Sequence, residues 1–126
     1  MMGGDYAPLE AVKGVAQYLS ADTGNTHLVL IGDAPEIEKL VAEHQVPADR
    51  ITIVHASEVI GMHEHPTKAL REKQNSSIAI GFGLLAKGKT DAIISAGNTG
   101  AMLVGALFSI KALEGVLRTT ISTIIP

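Results

Sequence analysis

The sequence predicts an α/β fold in which helices cover both faces of a parallel sheet. Two uninterrupted apolar runs, at 27–31 and 51–54, have the length and composition of strands buried on both faces. Helical patterns lie between and around these runs, and strands that alternate with helices favour right-handed βαβ units. A chain of 126 residues with 46% apolar residues has enough material for one core, so we expect a single α/β domain over residues 1–126.

The first half of the chain contains two helix and strand pairs. Apolar positions at helical spacing predict a first helix over 8–20, with Pro8 in its first turn. The strand at 27–31 follows it. A second helix is predicted over 35–44, and the strand at 51–54 completes the second pair.

The second half begins with a weaker pattern over 58–75, which predicts a loop that leads into a charged helical stretch at 67–73. Four elements are predicted after it: a helix at 78–85, a buried strand at 92–95, a helix at 99–113 and a strand at 119–125. In an alternating α/β pattern a strand should precede the helix that starts near Pro8, and the last predicted strand ends where the sequence ends. We therefore expect truncation at both ends, with the chain forming the N-terminal part of a longer enzyme.

Composition removes several classes of function. The formal charge of -3 and the two Tyr and two Phe residues argue against binding to nucleic acid. Cysteine is absent, which excludes disulfides and thiolate chemistry and favours a cytoplasmic protein. The start of the chain has no secretory pattern, and no apolar run approaches the length of roughly 20 residues that spans a bilayer.

A glycine-rich segment between the predicted strand at 92–95 and the next helix is the strongest candidate site. The first amides of a helix are unpaired and lie at the positive end of the helix dipole, and glycine lets an anion approach the backbone. The segment therefore predicts a phosphate cradle at the ligand-binding edge of a parallel sheet. The candidate residues are Ser95, Gly97, Asn98, Thr99 and Gly100. Ordinary strand-to-helix turns use the same residue types, so a simple helix cap remains open.

Two other segments have the composition of anion sites. Gly3, Gly4 and Asp5 form a similar turn before the first helix, which would lie at the same edge of the sheet, although a plain helix entry with Asp5 as its cap is the favoured explanation. A second group combines cations with hydroxyl caps at a helix start, which suits an anionic substrate. Its members are Lys68, Arg71, Lys73, Ser76 and Ser77. A solvated charged face is the commoner explanation, and Glu72 among the cations lowers the local positive charge.

Three further patterns match motifs of other protein classes, but the context of each match is wrong. The segment 83–90 matches the P-loop formula, but a strand follows it where a P-loop needs a helix. The segment 81–86 matches the relaxed dinucleotide-binding fingerprint but leaves too short a helix. His63 and His65 lack the spacing of a helical zinc pair, so no metal site is predicted.

Three of these segments resemble one known family. The Met-Gly-Gly-Asp-x-Ala-Pro opening at 2–8, the stretch at 71–77 and the Ser-Ala-Gly-Asn-Thr-Gly-Ala segment at 95–101 are similar to the acyl-acyl carrier protein:phosphate acyltransferases of the PlsX family. The resemblance implies a three-layer αβα sandwich with a mostly parallel sheet, similar to isopropylmalate dehydrogenases. It also implies a cytoplasmic homodimer, loosely associated with the membrane.

The implied reaction moves a fatty acyl group from the acyl carrier protein thioester to inorganic phosphate, giving acyl phosphate for phospholipid synthesis. No cofactor or metal is required, because phosphate is itself the nucleophile. Lys73 and Asn98 are the expected catalytic residues. The expected phosphate-binding residues are Gly3, Gly4, Asp5, Ser76, Ser77, Ser95, Gly97, Thr99 and Gly100. The alternatives are a P-loop nucleotide-binding protein and a module that binds phosphate or acyl carrier protein without chemistry.

Overall fold

The computed structural model describes residues 1–122, and this range folds as an α/β structure with a parallel sheet. The predicted fold class is therefore confirmed. The helices are α1 (Leu9–Ala21), α2 (Ala34–Glu43), α3 (Pro66–Glu72), α4 (Ser77–Ala86) and α5 (Thr99–Ser109), and the strands are β1 (Leu28–Gly32) and β2 (Ile51–His55). None of these helices has the length and apolar character needed to cross a membrane.

The sheet is built from β1 and β2, which pair in parallel in a register that runs from Leu28 opposite Ile51 to Gly32 opposite His55. Beyond the last pair, the amide of Ala56 donates a hydrogen bond of 2.7 Å to the carbonyl of Gly32. On the other edge of β1, the amino group of Met1 donates to the carbonyl of Ile31 at 2.8 Å. The first residues therefore run beside β1 and lead into the Gly3 turn.

Two apolar clusters form the core. One packs α1 against the sheet and centres on Val12, Leu19 and Val46. The second joins α3, α4 and α5 and contains Ile60, Ala69, Ile78, Phe82 and Ala101. The predicted candidate segments surround this second cluster, so its packing determines their geometry.

Helices α4 and α5 lie side by side and run in the same direction. Near their starts, the Ile78 side chain lies beside Gly97, and one turn further along α4 the Phe82 ring lies against Gly105. A Cβ atom on Gly105 would lie 2.5 Å from two atoms of that ring, so glycine is what permits the close approach. The N-termini of both helices consequently lie at the same end of the cluster.

The predicted strand at 92–95 is wrong, because this segment has no regular secondary structure and belongs to no sheet. Ile93 contacts α4 at Gly81, whereas Ile94 is 94% exposed. An apolar run forms a strand only where a neighbouring backbone supplies hydrogen bonds, and within residues 1–122 the ladder joins β1 and β2 alone. Helix α5 also ends at Ser109, four residues before the predicted end.

Of the predicted final strand at 119–125, residues 119–122 adopt no strand structure, and residues 123–125 lie outside the described range. The other element predictions agree with the structure to within two residues at each end. Most of those elements carry regular apolar patterns or a clear capping residue, whereas α3 is predicted from a weaker, charged pattern.

Candidate functional site

The two predicted glycine turns meet in the structure. The backbone of Gly3 packs so closely on Gly97 that a Cβ atom on Gly3 would lie 2.5 Å from both the Cα and the N atom of Gly97. Gly4 has a positive φ of 97°, a conformation that favours glycine, and it lies next to Ala96. The turn before α1 and the turn before α5 therefore form one continuous backbone surface.

The start of α5 offers free amides at this surface. Within residues 1–122 the backbone N–H groups of Thr99 and Gly100 make no hydrogen bond, and helix geometry gives them no partner inside α5. Thr99 is exposed and Gly100 is partly exposed. The N–H groups at the positive end of the helix dipole can therefore bind an anion. A Cβ atom on Gly100 would lie 2.5 Å from Cγ of Pro66, so α3 packs directly against this helix start.

The side chain of Asn98 is buried and fully used by its neighbours. Its Oδ1 atom accepts a 3.0 Å hydrogen bond from the amide of Ala101 and so caps α5. Its Nδ2 atom donates to the carbonyl oxygens of Gly61, Met62 and Glu64 at 3.0, 3.3 and 3.2 Å. Asn98 is 5% exposed, and its contacts fix the first turn of α5 against the loop, while its predicted catalytic role stays a prediction.

The loop that Asn98 holds also carries an ion pair. Lys73 Nζ donates hydrogen bonds of 2.6 Å to both Oε1 of Glu64 and the carbonyl of Val59. The bond from Lys73, together with one from the amide of Gly61, holds the pKa of Glu64 below its usual value. The Lys73 side chain is 31% exposed and its ammonium has a third N–H, so it can still attract an anion.

The three serine residues predicted for the site differ in burial and in hydrogen bonding. Ser76 is fully buried, donates to the carbonyl of Lys73 at 2.7 Å and accepts from the amide of Ala79, so it caps α4. Its predicted role in phosphate binding stays a prediction. Ser77 is partly exposed, and its hydroxyl makes no hydrogen bond within the described range. Ser95 Oγ accepts from the amide of Gly97 at 3.1 Å and shapes the turn before α5.

The structure thus brings Gly3, Gly4, Gly97, Thr99 and Gly100 into one surface. Asp5 is exposed at its rim. Glu64, which anchors Lys73, was not among the residues that the sequence predicted for the site. The spacing of Glu64 and Lys73 in the sequence does not indicate their ion pair, because the pairing depends on how the loop folds.

The structure does not support the other sequence patterns. The dinucleotide-binding match at 81–86 lies wholly inside α4. The P-loop match at 83–90 begins inside α4 and ends in the turn after it, so neither segment is a loop that opens a helix, as both motifs require. Among the described residues no group of three His, Asp or Glu side chains is arranged to hold a metal ion.

The chain is similar to known proteins along its whole length. The matching family model is described as "Fatty acid synthesis protein" and covers residues 1–126. The chain is 46% identical over 125 residues to a phosphate acyltransferase of Dictyoglomus turgidum, which covers 99% of this chain and 37% of that protein. It is 42% identical to phosphate acyltransferases of Thermoanaerobacterium thermosaccharolyticum and Pseudomonas syringae pv. syringae, covering 99% of this chain in each comparison and 36% and 37% of those proteins.

The chain therefore spans a little over a third of the length of these relatives. The matching segment includes both glycine turns and the loop that Asn98 holds, because the family model extends over every residue. With this match, the chain belongs to the fatty acid synthesis protein family.

Proposed function

We propose that the chain supplies the phosphate site of a phosphate acyltransferase. The enzyme would transfer a fatty acyl group from the thioester of acyl carrier protein to inorganic phosphate, giving an acyl phosphate for phospholipid synthesis. The observation that carries this proposal is the backbone contact between Gly3 and Gly97 beside the free amides of Thr99 and Gly100. The family membership and the names of the relatives support it.

The reaction suits a site made mostly of backbone groups. A phosphate oxygen attacks the thioester carbonyl carbon, the C–S bond breaks, and the proton of hydrogen phosphate passes to the leaving sulfur. The products are acyl phosphate and the free thiol. Since phosphate is the nucleophile, the protein has to hold it in line with the carbonyl and stabilise the oxyanion of the tetrahedral intermediate.

Each part of the site has a proposed role in this scheme. The amides of Thr99 and Gly100 bind phosphate, and the Ser77 hydroxyl adds a donor from α4. The remaining N–H of Lys73 attracts the dianion or the developing oxyanion. Gly3 completes the wall of the site through its contact with Gly97.

The other residues would act through the shape of the site. Gly4 and Ser95 shape the two turns, and Asp5 closes the rim. Asn98 and Ser76 hold these groups in place without touching phosphate. A cytoplasmic homodimer in loose contact with the membrane completes the proposal.

The test uses the protein as its gene encodes it, with acyl carrier protein thioester as substrate. We expect release of free thiol, measured with a chromogenic thiol reagent, to depend on added phosphate and to be matched by formation of acyl phosphate. Thiol release that ignores phosphate would refute the proposal. Phosphate binding measured by calorimetry, with no turnover, would favour a binding module without chemistry.

A further inference from the structure

Helix α3 exposes a basic face. Lys68 and Arg71 are three residues apart, so they lie on the same side of the helix, and both are exposed. Neither forms an ion pair within residues 1–122, whereas Lys73 is paired with Glu64. The two cations line an open depression of about 650 Å³, whose other lining residues are His65, Thr67 and Glu72.

This basic face begins at the proposed phosphate site. Pro66, the first residue of α3, packs directly against Gly100 in the first turn of α5. A helix rises about 1.5 Å per residue, so Arg71 lies roughly 8 Å further along the α3 axis. A macromolecule bound to this face would therefore have its edge within about 10 Å of the free amides of α5.

We propose that this face of α3 docks an acidic surface of the protein that delivers the acyl thioester. The inference rests on the proposed function and names the docking residues for its carrier. Two unpaired cations attract carboxylates and increase the rate of encounter, and their position would bring the thioester close to the phosphate site. Glu72 lies in the same depression and weakens the attraction.

Other polyanions suit the face less well. Anionic membranes are bound by clusters of about 4–8 basic residues, and the α3 face has two cations beside Glu72. A nucleic acid needs a longer basic surface together with stacking aromatic side chains, and the chain has two Tyr and two Phe. A compact acidic protein surface therefore fits best.

The experiment compares two substrates on the protein as its gene encodes it. One is the acyl carrier protein thioester, and the other is a short acyl thioester of N-acetylcysteamine, which has no protein surface to dock. We expect Lys68→Glu with Arg71→Glu to raise KM for the carrier thioester about tenfold, because two attractions become repulsions. KM for phosphate and turnover of the small thioester should stay within about twofold of the unaltered protein.

Two further variants test the opposite change in KM and provide a charge-matched control. Glu72→Gln removes the opposing charge and should lower KM for the carrier thioester. Lys39→Glu with Lys87→Glu makes the same change of net charge at exposed positions on α2 and at the end of α4, and should leave that KM unchanged. The KM of the unaltered protein should also rise with salt, more steeply than that of the α3 double variant.

The outcomes separate this inference from the proposed function. An unchanged carrier KM in the α3 double variant, with phosphate-dependent turnover intact, overturns the docking surface alone. Equal loss with the small thioester overturns it as well, because the residues would then affect the chemistry. Absence of phosphate-dependent turnover with both substrates in the unaltered protein refutes the proposed function itself.

Discussion

Substitution of Gly3 by alanine is the most direct test of the surface formed by the two glycine turns. The added Cβ would lie 2.5 Å from the Cα and N atoms of Gly97, both of which belong to the backbone. Carbon atoms in contact are normally about 3.5 Å apart, so the turns must separate by about 1 Å. A misplacement of that size can lower the rate of a positioned reaction about 10²-fold.

Gly3→Ala should therefore lower phosphate-dependent kcat/KM by about two orders of magnitude. Crowding at the contact should also lower the free energy of unfolding by about 1–3 kcal/mol. The assay is thiol release from the acyl carrier protein thioester at varied phosphate, with circular dichroism melting to show that the variant is folded at the assay temperature.

Two other glycines provide matched controls. A Cβ atom on Gly14, exposed within α1, meets no atom within 4 Å, so Gly14→Ala should keep full activity and gain about 0.5–1 kcal/mol of stability. A Cβ atom on Gly97 would lie 3.3 Å from Ser95 Oγ and 3.6 Å from Ile78, both of which are side-chain contacts. Gly97→Ala should therefore lower the free energy of unfolding much less than Gly3→Ala does. A folded Gly3→Ala protein with normal dependence on phosphate would show that the contact between the turns does not shape the site.

Three further predictions concern the side chains around the site. Asn98→Asp keeps the cap of α5 but places a carboxylate against three carbonyl oxygens, so burial should raise the pKa of the new carboxyl. The loss in melting temperature relative to the unaltered protein should therefore grow from pH 4 to pH 8, as the buried carboxyl is forced to ionise. A loss that stays constant with pH would contradict this prediction. The pKa of Glu64 is lowered in the folded protein by its hydrogen bonds from Lys73 and Gly61. The charged form of Glu64 therefore stabilises the fold at pH values above its usual pKa of 4.5, and this contribution is lost as the pH falls through the lowered pKa of the folded state. Glu64→Gln should therefore be less stable than the unaltered protein at pH 7, with the gap closing in acid. Ser76→Ala should lower the free energy of unfolding by about 1 kcal/mol, because α4 loses its cap. Ser77→Ala should instead raise KM for phosphate and leave the melting temperature unchanged. The opposite result for the two variants would show that their roles are exchanged.

The elements that sequence predicted well are those whose signals are local. Periodic apolar positions located α1 and α2, and the Ser76 cap located the start of α4. The strand at 92–95 failed because strand formation depends on a partner backbone elsewhere in the chain. Its sequence alone has the composition of a buried strand, yet Ile94 is almost fully exposed.

The sequence indicated which segments meet in the structure better than it indicated the contacts of their side chains. The two glycine turns were expected to share an edge of the sheet, and the contact between Gly3 and Gly97 is how they meet. The pairing of Glu64 with Lys73 joins residues nine apart through a loop with no regular pattern, so no spacing rule reveals it. Ser76 and Ser77 are adjacent in sequence, but only the fold determines which hydroxyl is buried.

Asn98 shows why a motif predicts a site more reliably than a mechanism. An asparagine at the start of a helix can donate to an anion or cap the helix, and the same residue type serves both purposes. Here both polar atoms of the side chain are engaged by protein groups, and the free donors belong to the backbone of Thr99 and Gly100. Backbone donors leave no trace in residue identity, except through a glycine that lets an anion approach. In the proposed phosphate site, the positions of these donors therefore depend on how Asn98 orients the first turn of α5. A substitution at Asn98 would change that orientation without removing either of the two proposed backbone donors.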